Sequence, residues 1–465
     1  MMIVEELAWR DPIEVFAPLA QRPHAHLLHA GGKAHEPGWS VIVCDPVKRF
    51  HVSGHAAFID GKRVDGDPFG LLRGMLASRR QGAQRRGEGI KAPFLSGAIG
   101  YVGYEVGALL ESTASGPVSP FPLPDMTFGF YNDALLFDRE KSRAYLVSIG
   151  GNIARSKQAD LLREIYNAPP VLRRPLPSAK NRSPNFSEEE FKNAVTMVIR
   201  SILEGDIFQA NIAQHLSAQL ESHNLLGLFH TLSQASDAEF GAVLQYEGAA
   251  IISNSPERFF QLQENDGVFN VRTQPIKGTR PRGETLEKDE ALKLSLISDA
   301  KERAENIMIV DLIRNDLSRV CEDASILEEE ICSVVSLSSV HHLVSTISGQ
   351  LKSDCDVIDV IKALFPCGSI TGAPKIEAMK TIASIEPTGR GPYCGALGYI
   401  DDSGAADFSV AIRTMIAAPN ADGLDLVFPV GGGITLLSDP FSEYKETLIK
   451  ARSIRKAIGL DAETE

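Results

Sequence analysis

The run Pro275-Ile276-Lys277-Gly278-Thr279-Arg280-Pro281-Arg282-Gly283 sets a primary amine beside two arginines, among glycines and prolines that bend the backbone. Neighbouring positive charge and desolvation both disfavour an ammonium, so Lys277 is a candidate nucleophile; a solvated lysine in a basic loop is the other reading. Glu305 recurs with Met308, Ile309 and Leu312 at i, i+3, i+4 and i+7, which puts a carboxylate on the apolar face of a helix. A buried acid needs a partner there. An arginine such as Arg314 would serve, and so would a magnesium ion held by one or two carboxylates plus substrate oxygens. Near the C-terminus, Asp439-Pro440 reads as an N-cap and first helical residue, so Glu443, Glu446 and Lys450 share one face of the helix that follows.

Two glycine-bearing runs accompany these acids. The strand-like Leu424–Val430 leads into Gly431-Gly432-Gly433, where backbone N–H groups could approach a carboxylate or phosphate; a plain flexible turn has the same composition. Pro366 to Lys375 (PCGSITGAPK) precedes a helical stretch, Ile376–Ile385, and offers backbone donors and Lys375 to an anion. Glycine loops, acid-bearing helices and cations together fit a small polyanionic substrate neutralised by a divalent metal. No GxxxxGKS/T run is present, so phosphoryl transfer is not indicated.

The elements that must position these residues follow from pattern. At 465 residues, with 43% hydrophobic and 23% charged residues, the chain has the composition of a globular protein with a sizeable core. A net charge of −13 argues against a nucleic-acid binder. Six cysteines lie scattered without a CxxC pair, which suggests buried thiols and neither a zinc site nor a disulfide framework. No charged and apolar leader opens the chain and no apolar run reaches membrane length, so the expectation is a cytoplasmic protein with no membrane partner. Before residue 168, runs such as Trp39–Cys44 and Ala134–Phe137 mix with glycine turns and predict an N-terminal part rich in sheet. Five prolines between Ala168 and Asn185 read as a linker. Ser187 followed by Glu190 is a capping box, and Phe191, Val195, Val198, Ile199 and Ile202 continue at helical spacing. Helical Lys288–Val320, strand Leu424–Val430 and helical Pro440–Ile458 follow, an α+β pattern.

Taken in order, Ser255-Pro256-Glu257-Arg258-Phe259, the Lys277 run, Glu305 to Asp316 (ENIMIVDLIRND), His342-Leu343-Val344-Ser345, Pro366 to Lys375, Arg413 and Gly431 to Lys450 resemble the chorismate-utilising enzymes, the family of anthranilate, aminodeoxychorismate, isochorismate and salicylate synthases. The likeness covers roughly residues 187 to 458 and extends more weakly to Leu27-Leu28-His29-Ala30 and Gly97 to Tyr101. It implies a large two-sheet β sandwich flanked by helices, of the anthranilate synthase component I kind. The division it implies is an N-terminal subdomain at 1–167, a linker at 168–186 and a chorismate-binding catalytic domain at 187–458.

Within that family, isochorismate and salicylate synthases carry a lysine general base where this chain looks to have Gln209, so the resemblance disfavours water activation. Anthranilate synthases carry alanine at Lys277 and usually a proline-containing stretch at Asn211-Ile212-Ala213-Gln214; the aminodeoxychorismate-forming branch carries lysine. The implied reaction is chorismate plus ammonia giving 4-amino-4-deoxychorismate, on the way to 4-aminobenzoate and folate, with anthranilate formation as the alternative. The resemblance gives Glu257 the role of general acid at the C4 hydroxyl and Lys277 that of nucleophile at C2. It assigns magnesium to Glu305 and Glu446, with Glu443 assisting, and substrate contacts to Gln209, Gly278, Thr279, Thr371, Gly372, Tyr393, Arg413, Gly431, Gly432, Gly433 and Lys450. His342 matches a histidine tied to pyruvate elimination in anthranilate formation, so it is a possible catalytic residue or a structural one. No cysteine sits in the glycine-rich elbow of a glutaminase. Ammonia would then come from free solution or from a separate subunit, and the resemblance implies the latter, a glutamine amidotransferase subunit in a heterodimer. Leu27-Leu28-His29-Ala30 lacks the glutamate-serine pair of tryptophan-inhibited relatives, which predicts no strong tryptophan feedback.

Overall fold

The computed structural model describes residues 2–31, 38–83, 90–149, 157–169, 176–235, 238–337 and 340–460. Positions 170–175 of the expected linker lie outside them; Lys180–Arg182, also within it, forms a short strand on Gln209–Leu220.

Among the described residues the strands form two antiparallel sheets of twelve, packed as a sandwich with helices outside. Alternation sorts the core. In Ala250–Ser255, Ile251 faces the space between the sheets with Leu136, Ile99 and Leu397, whereas Ile252 faces outward with Phe137, Phe229 and Ile454 under the helices. Strands covered on both sides need apolar residues at successive positions, which is why Asp133–Asp138 (DALLFD) is buried throughout. The α+β sandwich flanked by helices is as expected.

Each sheet is part N-terminal and part C-terminal. The parts join through one antiparallel pair per sheet, His26–Ala30 with Phe240–Gln245 and Gly97–Val102 with Ala396–Asp401. On either side of these seams two neighbouring strands leave one sheet and continue in the other. In the C-terminal part Ala250–Ser255 passes into Arg258–Asn265 through Pro256 and Glu257, and Ala406–Val410 passes into Thr414–Pro419 through residues 411–413. The two crossings are stitched side by side, since Val410 N donates to Glu257 O at 3.0 Å and Asn254 N to Arg413 O at 3.2 Å.

Local signals placed most helices. Ser187 caps Glu188–Glu204 with the full capping box, and Asp439 caps Pro440–Ala457 by accepting from Ser442 N at 2.8 Å. Three expectations need correction. Lys288–Val320 is two helices, Leu286–Ser298 and Ala300–Ser318, because Asp299 is extended (φ −69°, ψ 107°) and its carboxylate caps Lys301 N and Glu302 N while pairing with Arg280 at 2.7 Å. The glycine triplet is not a loop: the strand runs on as Leu424–Ile434, with Gly431, Gly432 and Gly433 opposite Ala213, Ile212 and Asn211. The helix expected at Ile376–Ile385 begins one residue early, as Lys375–Ile385. No described helix is long and apolar enough to cross a membrane, and all six cysteines are free thiols, five of them buried.

Asp299→Ala removes a cap and the Arg280 partner together. It should cost about 1 kcal/mol or somewhat more, seen as faster amide hydrogen exchange at residues 300–303 than in the parent; unchanged exchange there would mean that Asp299 does not set the break.

Candidate active site

Four elements deliver the chemistry-bearing groups to one place. Glu257 sits in the first crossing, 3% exposed, and its Oε1 accepts from Ser369 Oγ at 2.6 Å. Lys277 lies on Ile276–Pro281, whose pairing with Val340–Gln350 slips by one residue: Ile276 opposes Val344, but Thr279 opposes His342. The extra residue makes a bulge at Lys277-Gly278, with Gly278 in the left-handed region (φ 87°), and bulges re-aim side chains. A Cβ built on Gly433 would stand 3.5 Å from Lys277 Nζ and 2.0 Å from Gln209 Nε2, so a bare backbone there lets the amine and the amide meet.

Burial acts oppositely on the acid and the amine. It pushes the Glu257 carboxyl up to about 7, against the Ser369 hydrogen bond and the nearby Lys277 charge. Burial also pushes the Lys277 amine down; Lys450 adds to this, while Glu305, Glu257 and Glu302 oppose it. The expectation that Arg280 and Arg282 depress the lysine is corrected. Arg280 is taken up by Asp299 and Glu302, and Arg282 by Asp289.

On the far side stand the acids. Arg314 pairs with Glu328 at 3.0 Å, so it is not the partner of Glu305, whose nearest cation is Lys301 at 3.9 Å. Glu443 accepts from Ser438 Oγ at 2.6 Å, and Glu446 pairs with Lys450 at 2.8 Å; Lys450 also donates to Gly431 O at 3.0 Å. Burial raises Glu305 and Glu443, and the charge of Glu446 raises both further. Burial would raise Glu446 too, but the Lys450 ion pair holds it below its ordinary value. A Cβ on Gly432 would lie 3.4 Å from Glu443 Oε2 and 3.8 Å from Glu446 Oε1, so both carboxylates converge on that glycine. Among the described residues no three His, Cys, Asp or Glu side chains close into a metal cage. Mutually repelling carboxylates without a complete cage suit a hard cation that takes one or two of them and fills its shell with water and substrate oxygens, as magnesium does.

The remaining positions fall around this centre. Arg413 occupies the second crossing with φ 50°, and its guanidinium, drawn down by burial, has no ion-pair partner among the described residues. His342 is 3% exposed and held neutral, its pKa pushed to about 3 by burial and by Arg413; Nδ1 meets Thr279 Oγ1 at 2.9 Å and Nε2 has no partner. Thr371 is buried with its hydroxyl given to Cys367 O at 2.8 Å, Gly372 pairs with Ala210, and Tyr393 is buried. Lys375, expected to meet an anion, instead donates to Asp316 Oδ2 at 2.6 Å and Leu364 O at 2.8 Å, a structural pair. Sequence reasoning missed Ser369 and Asn211. Ser369 stood in a quoted run beside Thr371, and only the packing tells which hydroxyl reaches Glu257. Asn211 Oδ1, like Gln209 Oε1 two residues earlier on the strand, is buried with no partner, so two acceptor oxygens line this wall.

Comparison with known proteins bears on the family and the fold. Residues 24–456 match the model of a family described as chorismate binding enzyme. The chain is 36% identical to aminodeoxychorismate synthase component 1 of Klebsiella aerogenes over 96% of its own length and 97% of the relative's. It is 35% identical to anthranilate synthase component 1 of Streptomyces coelicolor, over 96% and 86%. The crystal structure of anthranilate synthase component I from Streptococcus pneumoniae superposes with a TM-score of 0.78 at 29% identity, covering 91% of this chain and 93% of that one.

Ser369 donates to the charged form of Glu257, so Ser369→Ala should raise the carboxyl's pKa further above its ordinary value. Infrared titration of the buried carboxyl band reads this directly, and a downward move would contradict the assignment.

Proposed function

This chain belongs to the chorismate-binding enzyme family, and within it we propose that it aminates chorismate at C4 to give 4-amino-4-deoxychorismate, a precursor of 4-aminobenzoate and folate. The observation that carries this reading is the paired shift of two neighbouring buried groups, a carboxyl pushed up and an amine pushed down. An acid that keeps its proton near neutral pH and a lysine that gives its proton up more readily than usual have complementary tasks at one ring.

In this reading Glu257 protonates the C4 hydroxyl as it leaves and Lys277 adds at C2, forming a covalent adduct. Ammonia then adds at C4 and the C2–Nζ bond breaks, returning the amine. Arg413 and Lys450 meet substrate carboxylates, and the acceptor oxygens of Gln209 and Asn211 suit a nucleophile that carries N–H donors. Glu305 and Glu446, with Glu443, would hold magnesium, which supplies charge neutralisation for a substrate carboxylate. The name component 1 borne by the relatives supports a partner subunit, which we take to be a glutamine amidotransferase that delivers the ammonia.

A second reading, anthranilate formation, is favoured by the similar identity to anthranilate synthase component 1 and by His342, which presents an unpartnered Nε2 next to Thr279. Purified protein given chorismate, ammonia and magnesium distinguishes the two. The expected product is 4-amino-4-deoxychorismate, with Lys277→Ala losing most of its formation; direct release of fluorescent anthranilate would overturn the assignment.

The pH profile has a definite sign. Glu257 must be protonated, so kcat/KM should fall as pH rises through about 7 and the carboxyl ionises. Lys277 must be neutral, so the rate should also fall as pH drops and the amine takes up its proton. A profile that climbs steadily through the alkaline range would exclude Glu257 as the acid.

A further inference from the structure

Arg390 is 1% exposed and lies beneath the substrate wall, where a buried charge costs free energy unless it is paired and hydrogen-bonded. Four hydrogen bonds draw on its five N–H donors. Nε and Nη2 form a fork on Glu386, at 2.9 Å to Oε2 and 2.7 Å to Oε1, and the guanidinium stacks on Tyr104 at 4.5 Å. Nη2 also donates to Asn211 O at 2.7 Å and Nη1 to Ile370 O at 3.2 Å.

The two carbonyls belong to different segments, each next to a candidate substrate contact. Asn211 lies on the strand of Gln209 and returns its own N–H to Thr371 O at 2.8 Å; Ile370 directly precedes Thr371. Glu386 extends the same clamp, since its Oε1 accepts from Ala213 N at 2.8 Å, on the same strand again. A third segment is tied in through the backbone: Tyr393 N donates to Arg390 O at 3.2 Å, while Arg390 N and Gly391 N both donate to Glu105. Arg390 therefore links three segments, Gln209–Asn211 and Ile370–Thr371 through its guanidinium and Tyr393 through its own backbone, while the acid and the amine sit on others.

We infer that Arg390 is a positioning residue: it fixes the spacing of the three segments that grip chorismate, and so sets affinity for that substrate without touching it. This rests on the site being a chorismate site. A planar fork with several donors is required, because a lysine ammonium could keep the charge near Glu386 but could not serve both carbonyls in the same geometry.

The test uses the full chain and chorismate as the probe. Binding is measured by calorimetry without ammonia, and KM and kcat with saturating ammonia, for the parent, Arg390→Lys and Arg79→Lys. Arg79 is the matched control, a similar fork in the N-terminal part that holds Asp402 at 2.7 Å and donates to Tyr131 O and Asn132 Oδ1. Both variants should melt lower than the parent. Only Arg390→Lys should weaken chorismate binding and raise its KM, by roughly ten- to a hundredfold, with the KM for ammonia within about twofold of the parent's. If Arg390→Lys does not fold, Glu386→Gln, which loosens the same fork, should give the same pattern at smaller size. Chorismate affinity unchanged in Arg390→Lys, or weakened equally in Arg79→Lys, would overturn the inference. A parent that binds no chorismate would instead overturn the functional reading on which it rests.

Discussion

A buried carboxyl and a buried amine lie within reach of each other's charge without neutralising each other, and the rest of the site is arranged around that constraint. In water Glu257 and Lys277 would both be charged and would attract. Here desolvation outweighs that attraction for both groups, and no ion pair forms between them; each sits closer to its neutral state than its residue type implies. Keeping them apart yet near requires rigid backbone on both sides. The acid is held in a strand that changes sheets, and the amine by a one-residue bulge on a strand of the second sheet. Neither device tolerates slippage, because a one-residue shift would turn each side chain away.

The same logic governs the charges around them. The chain is acidic overall, yet an anionic substrate must be received, so a cation at the site has to stay clear of carboxylates while those nearby are occupied. Arg280, Arg282, Arg314 and Lys375 are all tied to local carboxylates, whereas Arg413 is left without one among the described residues. Its left-handed backbone costs some strain, of the kind that persists where the surrounding fold holds a residue in place.

Much of this was legible in the sequence, and the limits are physical. Caps depend on neighbours within a few residues, so Ser187 and Asp439 announced their helices. The shared face of Glu443, Glu446 and Lys450 followed from helical spacing alone. What failed depended on distant partners. Three glycines read as a turn until the Gln209–Leu220 strand is seen to carry the ladder through them, and Asp299 broke a helical run because Arg280, nineteen residues earlier, rewards the extended cap. The ordering of arginines by their ion-pair partners and the reach of Ser369 to Glu257 are likewise long-range facts. Local charge singled out the lysine and the family resemblance the acid; neither brought forward the arginine clamp beneath the wall.

The seams between the two parts carry a consequence for recombining such enzymes. If the part bearing Glu257 and Lys277 were excised or exchanged, Phe240–Gln245 and Ala396–Asp401 would become open strand edges, one in each sheet, with unpaired backbone groups inviting aggregation. A functional chimera is therefore limited first by edge compatibility. The donor must present strands that match Leu27 to Val243 and Ile99 to Tyr399 in register, whatever catalytic residues it brings.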